Sequence, residues 1–345
     1  MSEQVSRDHH TVPKLYLRGF CGRKKLDKDI LLARHRNGTE ERMPIKKATV
    51  EVDFYDVGEL GQPDDSLEEW FSHSIENPVG EVMYALRDGV LPPPGPSRTT
   101  LATFVATQMV RTVAVRRTMQ EVNSHVGPLI FASMVLQRAI EMDPAVKARG
   151  DLTAMYHDIA RRTPEVMRRT DTPSMLRTMV READRIKRLL LDMHWLLTSS
   201  PDPVLITGDA PVVTVSATGG LDFSSPVLLP DLHEVHVPIT PSRLLTITPI
   251  QPLVAAPTNL TIEQTALVNQ AMVRNCWDML LRPPMMPWPA YLVLPRQRAS
   301  IRKPKITVRA NEAGSSPTPL SFPPIVDLAL AEALKILNGD PDLSA

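Results

Sequence analysis

Two cysteines in 345 residues are too few for a disulfide framework. Cys21 lies in a basic loop and Cys276 on a helical pattern, a usage that fits a reducing compartment. Net charge is also missing. Thirty-nine basic and thirty-nine acidic side chains cancel, which removes any global pull toward nucleic acid or an anionic membrane. No run approaches the ~20 apolar residues of a membrane span, and the opening MSEQVSRDHH lacks the apolar region of a secretory signal. A soluble, cytoplasmic protein is the expectation. Aromatics are scarce at 5%, so Leu, Val, Ile and the sixteen Met must fill most of the core. The chain has no G-x-G-x-x-G after a strand, no G-x-x-x-x-G-K-[ST], no H-E-x-x-H, no G-x-S-x-G and no C-x-x-C. Nucleotide and flavin sites, zincins, α/β-hydrolases and zinc ribbons all lose ground.

Proline is abundant: thirty-three residues, roughly twice the average share, which keeps elements short and connections stiff. Strand patterns are expected at 30–35, closed by the turn dipeptide Asn37-Gly38, and at 49–55. A first helix starts near Asp64-Asp65-Ser66 and runs past a kink at Pro78 and Gly80, with Leu67, Trp70, Phe71, Ile75, Val79, Val82, Met83 and Leu86 at helical spacing. Further helices are predicted over 98–125, 128–142, 151–162 and 173–198. At Pro201 the pattern changes to short strands at 204–207, 212–215, 235–239 and 244–247. A helix over about 261–281 follows, then strand-like stretches at 291–294 and 306–308 and a terminal helix near 324–337. This order predicts an α+β protein, with a mainly helical first half at about 64–200. That half packs against a mixed or antiparallel sheet built from the second half and the N-terminal strands. One integrated domain over 1–345 is the expected organisation: a motif segment at 8–57, a helical region at 64–200 and a strand-rich region at 201–310.

The densest pattern is His9-His10-Thr11-Val12-Pro13-Lys14-Leu15-Tyr16-Leu17-Arg18-Gly19-Phe20. Val12-Pro13 forces an extended approach to the next turn. Val12, Leu15, Leu17 and Phe20 suit core packing, and His10 is a candidate general base or metal ligand. Tyr16 is read as an orienting, substrate-side contact and Arg18 as a surface charge. In Phe104 to Thr112, positions 104, 108 and 111 share a helical face, so Gln108 and Arg111 project into an apolar interface. A buried arginine needs an answering carboxylate or an anionic ligand. Asp209, in Ile206-Thr207-Gly208-Asp209-Ala210-Pro211-Val212, ends a strand before a proline; that position suits a catalytic carboxylate and equally an Asp capping its own turn.

Three of these segments resemble motifs of the family called domain of unknown function 4238: H-x-V-P-x-x-Y-L-x-x-F at the start, Q-x-x-R-T at Gln108 to Thr112, and T-S-D-N-P-V at Thr207 to Val212. In the third, Gly208 replaces Ser and Ala210 replaces Asn. The resemblance covers roughly 8–280, places the family's histidine at His10 rather than His9, and matches its two helical glutamates to Glu69 and Glu76. Seven residues are about two α-helical turns, so those two carboxylates should lie on one stripe, either a solvated face or a pair that could hold a divalent metal.

Weaker features have plainer readings. His194 at helical spacing with Leu190 and Leu197 is a satisfied histidine, His233 and His236 point to opposite strand faces, and Arg177, Arg181, Arg185 and Arg188 form a solvated stripe. Scattered basic pairs such as Arg116-Arg117 give nucleic-acid binding no support. Two functions compete. One is a hydrolase or related acid/base enzyme on a small-molecule or peptide substrate, with His10, Asp209 and Arg111 catalytic and Gln108 and Tyr16 binding. The other is a non-catalytic binding or regulatory protein in which these residues form a buried polar network. A nucleic-acid-processing protein is a third, weaker reading, and no residue here specifies a cofactor or an oligomeric state.

Overall fold

The computed structural model describes residues 8–22, 27–52, 54, 66–142, 154–161, 171–216, 233–251 and 259–296. The predicted terminal helix at 324–337 and strand at 306–308 lie outside them, as do the caps Asp64 and Asp65. The fold is α+β, and its named strand pairs are all antiparallel. Described residues within Met1–Arg117 and Thr172–Ala299 form one compact unit, and those within Thr118–Asp171 belong to a second.

The first unit opens with β1 (Asp8–His10), helix α1 (Lys14–Leu17) and a 3₁₀ turn at Arg18–Phe20. Strands β2 (Ile30–His35) and β3 (Glu40–Pro44) form the hairpin that Asn37-Gly38 announces. Gly38 has φ 93° there, and the Asn37 side chain accepts the Thr39 N–H at 2.8 Å. Within the expected strand at 49–55, of which Asp53 and Tyr55 lie outside the described residues, Val50–Val52 forms β4, paired with β1 so that His9 faces Glu51.

Helix α2 (Ser66–Phe71) runs through a π-helical turn at Ser72–Glu76 into α3 (Asn77–Asp88). Pro78 directly follows the π turn within this continuous run, so the irregularity is a change of helix type at Ser72–Glu76 rather than a break at the proline. Gly89 ends α3 at φ 91°, and the Arg243 guanidinium donates to the Leu86 and Arg87 carbonyls at that negative end.

The helix predicted over 98–125 is divided. Helix α4 (Pro96–Val110) stops at Arg111, whose φ −93° and ψ 25° leave the helical range, and α5 (Val113–Met142) starts after Thr112. The Thr112 hydroxyl accepts the Val115 N–H at 3.2 Å, as a capping threonine does. Helix α5 continues through Pro128 into the second unit, whose described core joins Ala132, Val135 and Ala139 to Ile159 and Ala160 of α6 (154–161).

Helix α7 (Asp171–Leu191) is shorter than the predicted 173–198, because His194–Ser199 forms strand β5. Trp195 Nε1 donates to the Leu190 carbonyl at 2.8 Å, closing the helix end, so His194 is a strand residue rather than a helical neighbour of Leu190. Sheet partners override the helical preference of Leu196-Leu197 here. Strands β6 (Thr207–Gly208), β7 (Val213–Ser216), β8 (His233–Thr240) and β9 (Arg243–Thr248) follow.

The predicted helix at 261–281 ends early. Helix α8 (Ile262–Asn275) opens on a capping box of Thr261 and Gln264, and Met279–Arg282 is strand β10. Two four-stranded sheets result, in the orders β3-β2-β10-β6 and β5-β9-β8-β7. The chain passes from one sheet to the other at Asp209–Val212. The stretch Val204–Ile206, buried at Leu205 and Ile206, was predicted as strand but has no ladder. The Val204 and Leu205 N–H groups donate to Pro241 at 2.9 Å, and Asn269 of α8 donates to Val204 and accepts from Ile206. Residues 291–294 likewise carry no strand.

Candidate functional site

The N-terminal motif is anchored by arginines that grip its backbone. Arg111 donates from Nη1 to Glu76 at 3.0 Å and from Nη2 to the His10 carbonyl at 2.5 Å, with its guanidinium 4.6 Å from the centre of the Phe71 ring. Arg87 of α3 donates to the Leu15 carbonyl, and Arg116 of α5 to the Phe54 carbonyl while lying over the Phe54 ring. Arg111 is 1% exposed. Such burial demands ionic and hydrogen-bonding partners, and Glu76 with the His10 carbonyl supplies them. The break between α4 and α5 is what frees Arg111 to turn out of the helix toward His10.

Other motif residues face inward as well. Tyr16 is fully buried, and its hydroxyl donates to the Pro238 carbonyl at 2.6 Å, so the 2.9 Å bond to Thr207 is donated by the threonine. Burial pushes the Tyr16 phenol upward in pKa, against the Thr207 bond. Gly19 packs where a Cβ would collide with the Ile239 carbonyl oxygen of β8, so a side chain there would lift the motif off the sheet. Arg18 is half exposed beside Asp29, the surface charge that was expected.

His10 is partly buried, and its Nδ1 lies 3.3 Å from the Ala48 carbonyl; a carbonyl only accepts, so the proton sits on Nδ1. Burial, then Lys14 and Arg111, hold its pKa down at about 4, against the Ala48 bond. The imidazole is therefore neutral at pH 7. His9, which the family pattern does not require, is the more buried of the two at 1% exposure.

Glu69 and Glu76 do not share a stripe. The π turn between them advances less per residue than an α-helix, so the two-turn spacing fails. Glu76 turns to Arg111, whereas Glu69 is exposed and its carbonyl accepts from His73 at 2.9 Å. Among the described residues no group of three His, Cys, Asp or Glu side chains is placed to hold a metal ion. Gln108, one turn before Arg111, is 1% exposed, and neither end of its amide has a hydrogen-bond partner among the described residues.

Asp209 makes its hydrogen bonds outside this cluster. Its carboxylate accepts the consecutive N–H groups of Trp277 (2.7 Å), Asp278 (2.5 Å) and Met279 (3.0 Å), and burial, then this neighbouring charge, pushes the Cys276 thiol up in pKa. Burial raises its pKa while the three N–H donors oppose that shift. The same carboxyl raises Glu51, a smaller effect than burial and the opposing Arg117. Asp209 thus pins the turn from α8 to β10 at the crossing between the sheets. Ala210, in place of the family's Asn, is 1% exposed, and Asn275 of α8 donates to the carbonyls of Ala210 and Val212.

Direct bonds unite His10, Glu76 and Arg111, and Tyr16 reaches Thr207, two residues before Asp209. Asp209 itself bonds to neither His10 nor Arg111. Sequence reasoning missed Arg87, Arg116, Asn269 and Asn275, because a side chain that caps a distant backbone leaves no local pattern. It also missed a cavity of about 290 Å³ on the far side of Phe71, lined by Trp70, Phe71, Ile75, Thr107, Met179 and Ala183 among others. Trp70 and Val180 stand at its walls 43% and 38% exposed, while Asp184 and Lys187 line one side. Trp70 shares helical spacing with the apolar stripe, so the pattern carried no signal that it would stand exposed.

A family model described as a protein of unknown function, DUF4238, matches residues 8–280. No curated protein and no solved structure matches the chain. Among the described residues no helix is long and apolar enough to cross a membrane.

Proposed function

We propose, for a chain that belongs to the DUF4238 family, a non-catalytic binding role, in which the motif residues form an internal lock and the cavity beside Phe71 takes a small apolar molecule. The observation that carries this reading is the direction in which the motif's polar atoms point. Arg111 is engaged with Glu76 and the His10 carbonyl, the Tyr16 hydroxyl with Pro238 and Thr207, and Asp209 with three backbone N–H groups. An acid/base enzyme needs a group near its working pH within reach of substrate. His10, held at about 4 and bonded through Nδ1 to the chain, is a poor base at neutral pH.

The cavity has the opposite character. Aromatic and aliphatic side chains dominate its lining, as in pockets that bind by apolar burial, and its volume suits one or two rings or a short aliphatic chain. Asp184 and Lys187, bonded to each other at 2.5 Å, offer a polar contact at one side. Trp70 gives the test its signal. Non-fluorescent apolar probes, cyclohexanol and short-chain alcohols, should quench or shift its emission saturably, and a Trp70→Phe variant should lose the response. Titrations that leave the emission unchanged up to millimolar ligand, with the protein folded, would refute a pocket function.

A further inference from the structure

Arg34 of β2 and Arg282 of β10 are diagonal neighbours on one face of their sheet, since Arg282 lies opposite Leu32 and Arg34 opposite Leu280. Both guanidiniums lie over a single indole: Arg34 is 4.4 Å and Arg282 4.7 Å from the centroid of Trp288. Their charges are not matched. Arg34 is bonded to Glu40 at 2.6 Å. Arg282, 7% exposed, uses Nη1 on the Pro283 and Pro284 carbonyls and has no carboxylate partner among the described residues. Burial lowers its pKa most, Glu40 opposes that, and Arg34 adds to it. Two buried donors at this spot, Arg282 Nε and Trp288 Nε1, have no acceptor among the described residues.

A guanidinium this buried is normally answered by an anion, and an unfilled buried donor carries a full desolvation penalty. Two unfilled donors beside an unanswered charge, with a second arginine next to them, describe the recognition set of an oxyanion. We propose that Arg34, Arg282 and Trp288 form a binding site for a small oxyanion, a phosphate or a carboxylate group, which accepts from Arg282 Nε and Trp288 Nε1. This site shares no residue with the apolar cavity, so it stands or falls separately from the binding role proposed above.

The test is a thermal-shift and calorimetric titration of the full chain with inorganic phosphate and, in a second arm, acetate. Sodium chloride holds the ionic strength constant in both. The wild type should show a saturable rise in unfolding temperature with at least one of the two, and the arm that responds names the group. Arg282→Met keeps the bulk over the indole and removes the charge. It should lose the response, and in chloride alone it should unfold no lower than the wild type. Trp288→Phe keeps the stacking and removes one donor, and should weaken the responding anion about tenfold. Equal responses in wild type and Arg282→Met, or none in either, would overturn the site. Should Arg282→Met fail to fold, an unchanged affinity in Trp288→Phe would overturn it instead.

Discussion

Glu76 and Arg111 bridge two helices and carry the motif backbone with them, so their coupling measures how strongly the lock holds. The perturbation is a double-mutant cycle of Glu76→Ala, Arg111→Met and both together. Exposed ion pairs are worth about 0.2–1 kcal/mol, and removing one partner of a fully buried pair costs about 3–5 kcal/mol. This pair lies between, with Arg111 1% and Glu76 24% exposed in the side chain and a 3.0 Å bond. Water reaches the glutamate but not the arginine, so a coupling energy of about 2 kcal/mol is expected. Glu76→Ala alone should cost about as much, because it leaves a charge buried with the His10 carbonyl and the Phe71 ring still in contact. Urea unfolding followed by tryptophan emission is the assay, and Trp70, Trp195, Trp277 and Trp288 all belong to the unit that contains the pair. Coupling under about 0.5 kcal/mol, the value of an ordinary surface pair, would refute the reasoning.

Three further outcomes follow from individual side chains. His10 has a folded pKa of about 4 against about 6.5 in the unfolded chain, so its contribution is intact above pH 6.5 and is lost as pH falls toward 4. Discounted for partial exposure, the wild type should lose about 2 kcal/mol more than His10→Gln across that window, and parallel stability–pH curves would disprove the assignment. Gly19→Ala should destabilise by about 1–3 kcal/mol through the clash with the Ile239 carbonyl, and a midpoint in urea equal to the wild type's would show that the motif does not dock on β8 as described. Gln108→Leu removes an amide with no partner at either end and should leave stability unchanged or raise it by about 1 kcal/mol; a loss larger than that would mean that the amide is satisfied by a bound group.

The sequence disclosed the fold class and the motif segments more fully than the roles of the residues within them. Periodicity located α4, α7, α8 and the hairpin at Asn37-Gly38, because each is written in a contiguous pattern. It failed at junctions decided from a distance. The end of α8 depends on Asp209 drawing the 277–279 N–H groups away from helix, and Val204–Ile206 is satisfied by Asn269, whose position is 65 residues from Val204 in sequence. The Arg-Thr pair was legible as a buried charge, but not as a helix stop and a new cap. The heptad of glutamates misled because one π turn, invisible in the pattern, reset the phase. Burial of Arg111 was foreseen, with either a carboxylate of the protein or an anionic ligand to answer it. That Glu76 would answer it follows from the same phase shift.

The central claim is that the ligand enters the cavity beside Phe71 and that the motif residues hold the fold. The direct test is the calorimetric affinity of indole for Ala183→Phe, which fills the cavity, and for His10→Gln, which alters the motif. Binding should vanish in Ala183→Phe and persist in His10→Gln at wild-type affinity. Loss in His10→Gln with retention in Ala183→Phe would place the ligand at the motif and contradict the account.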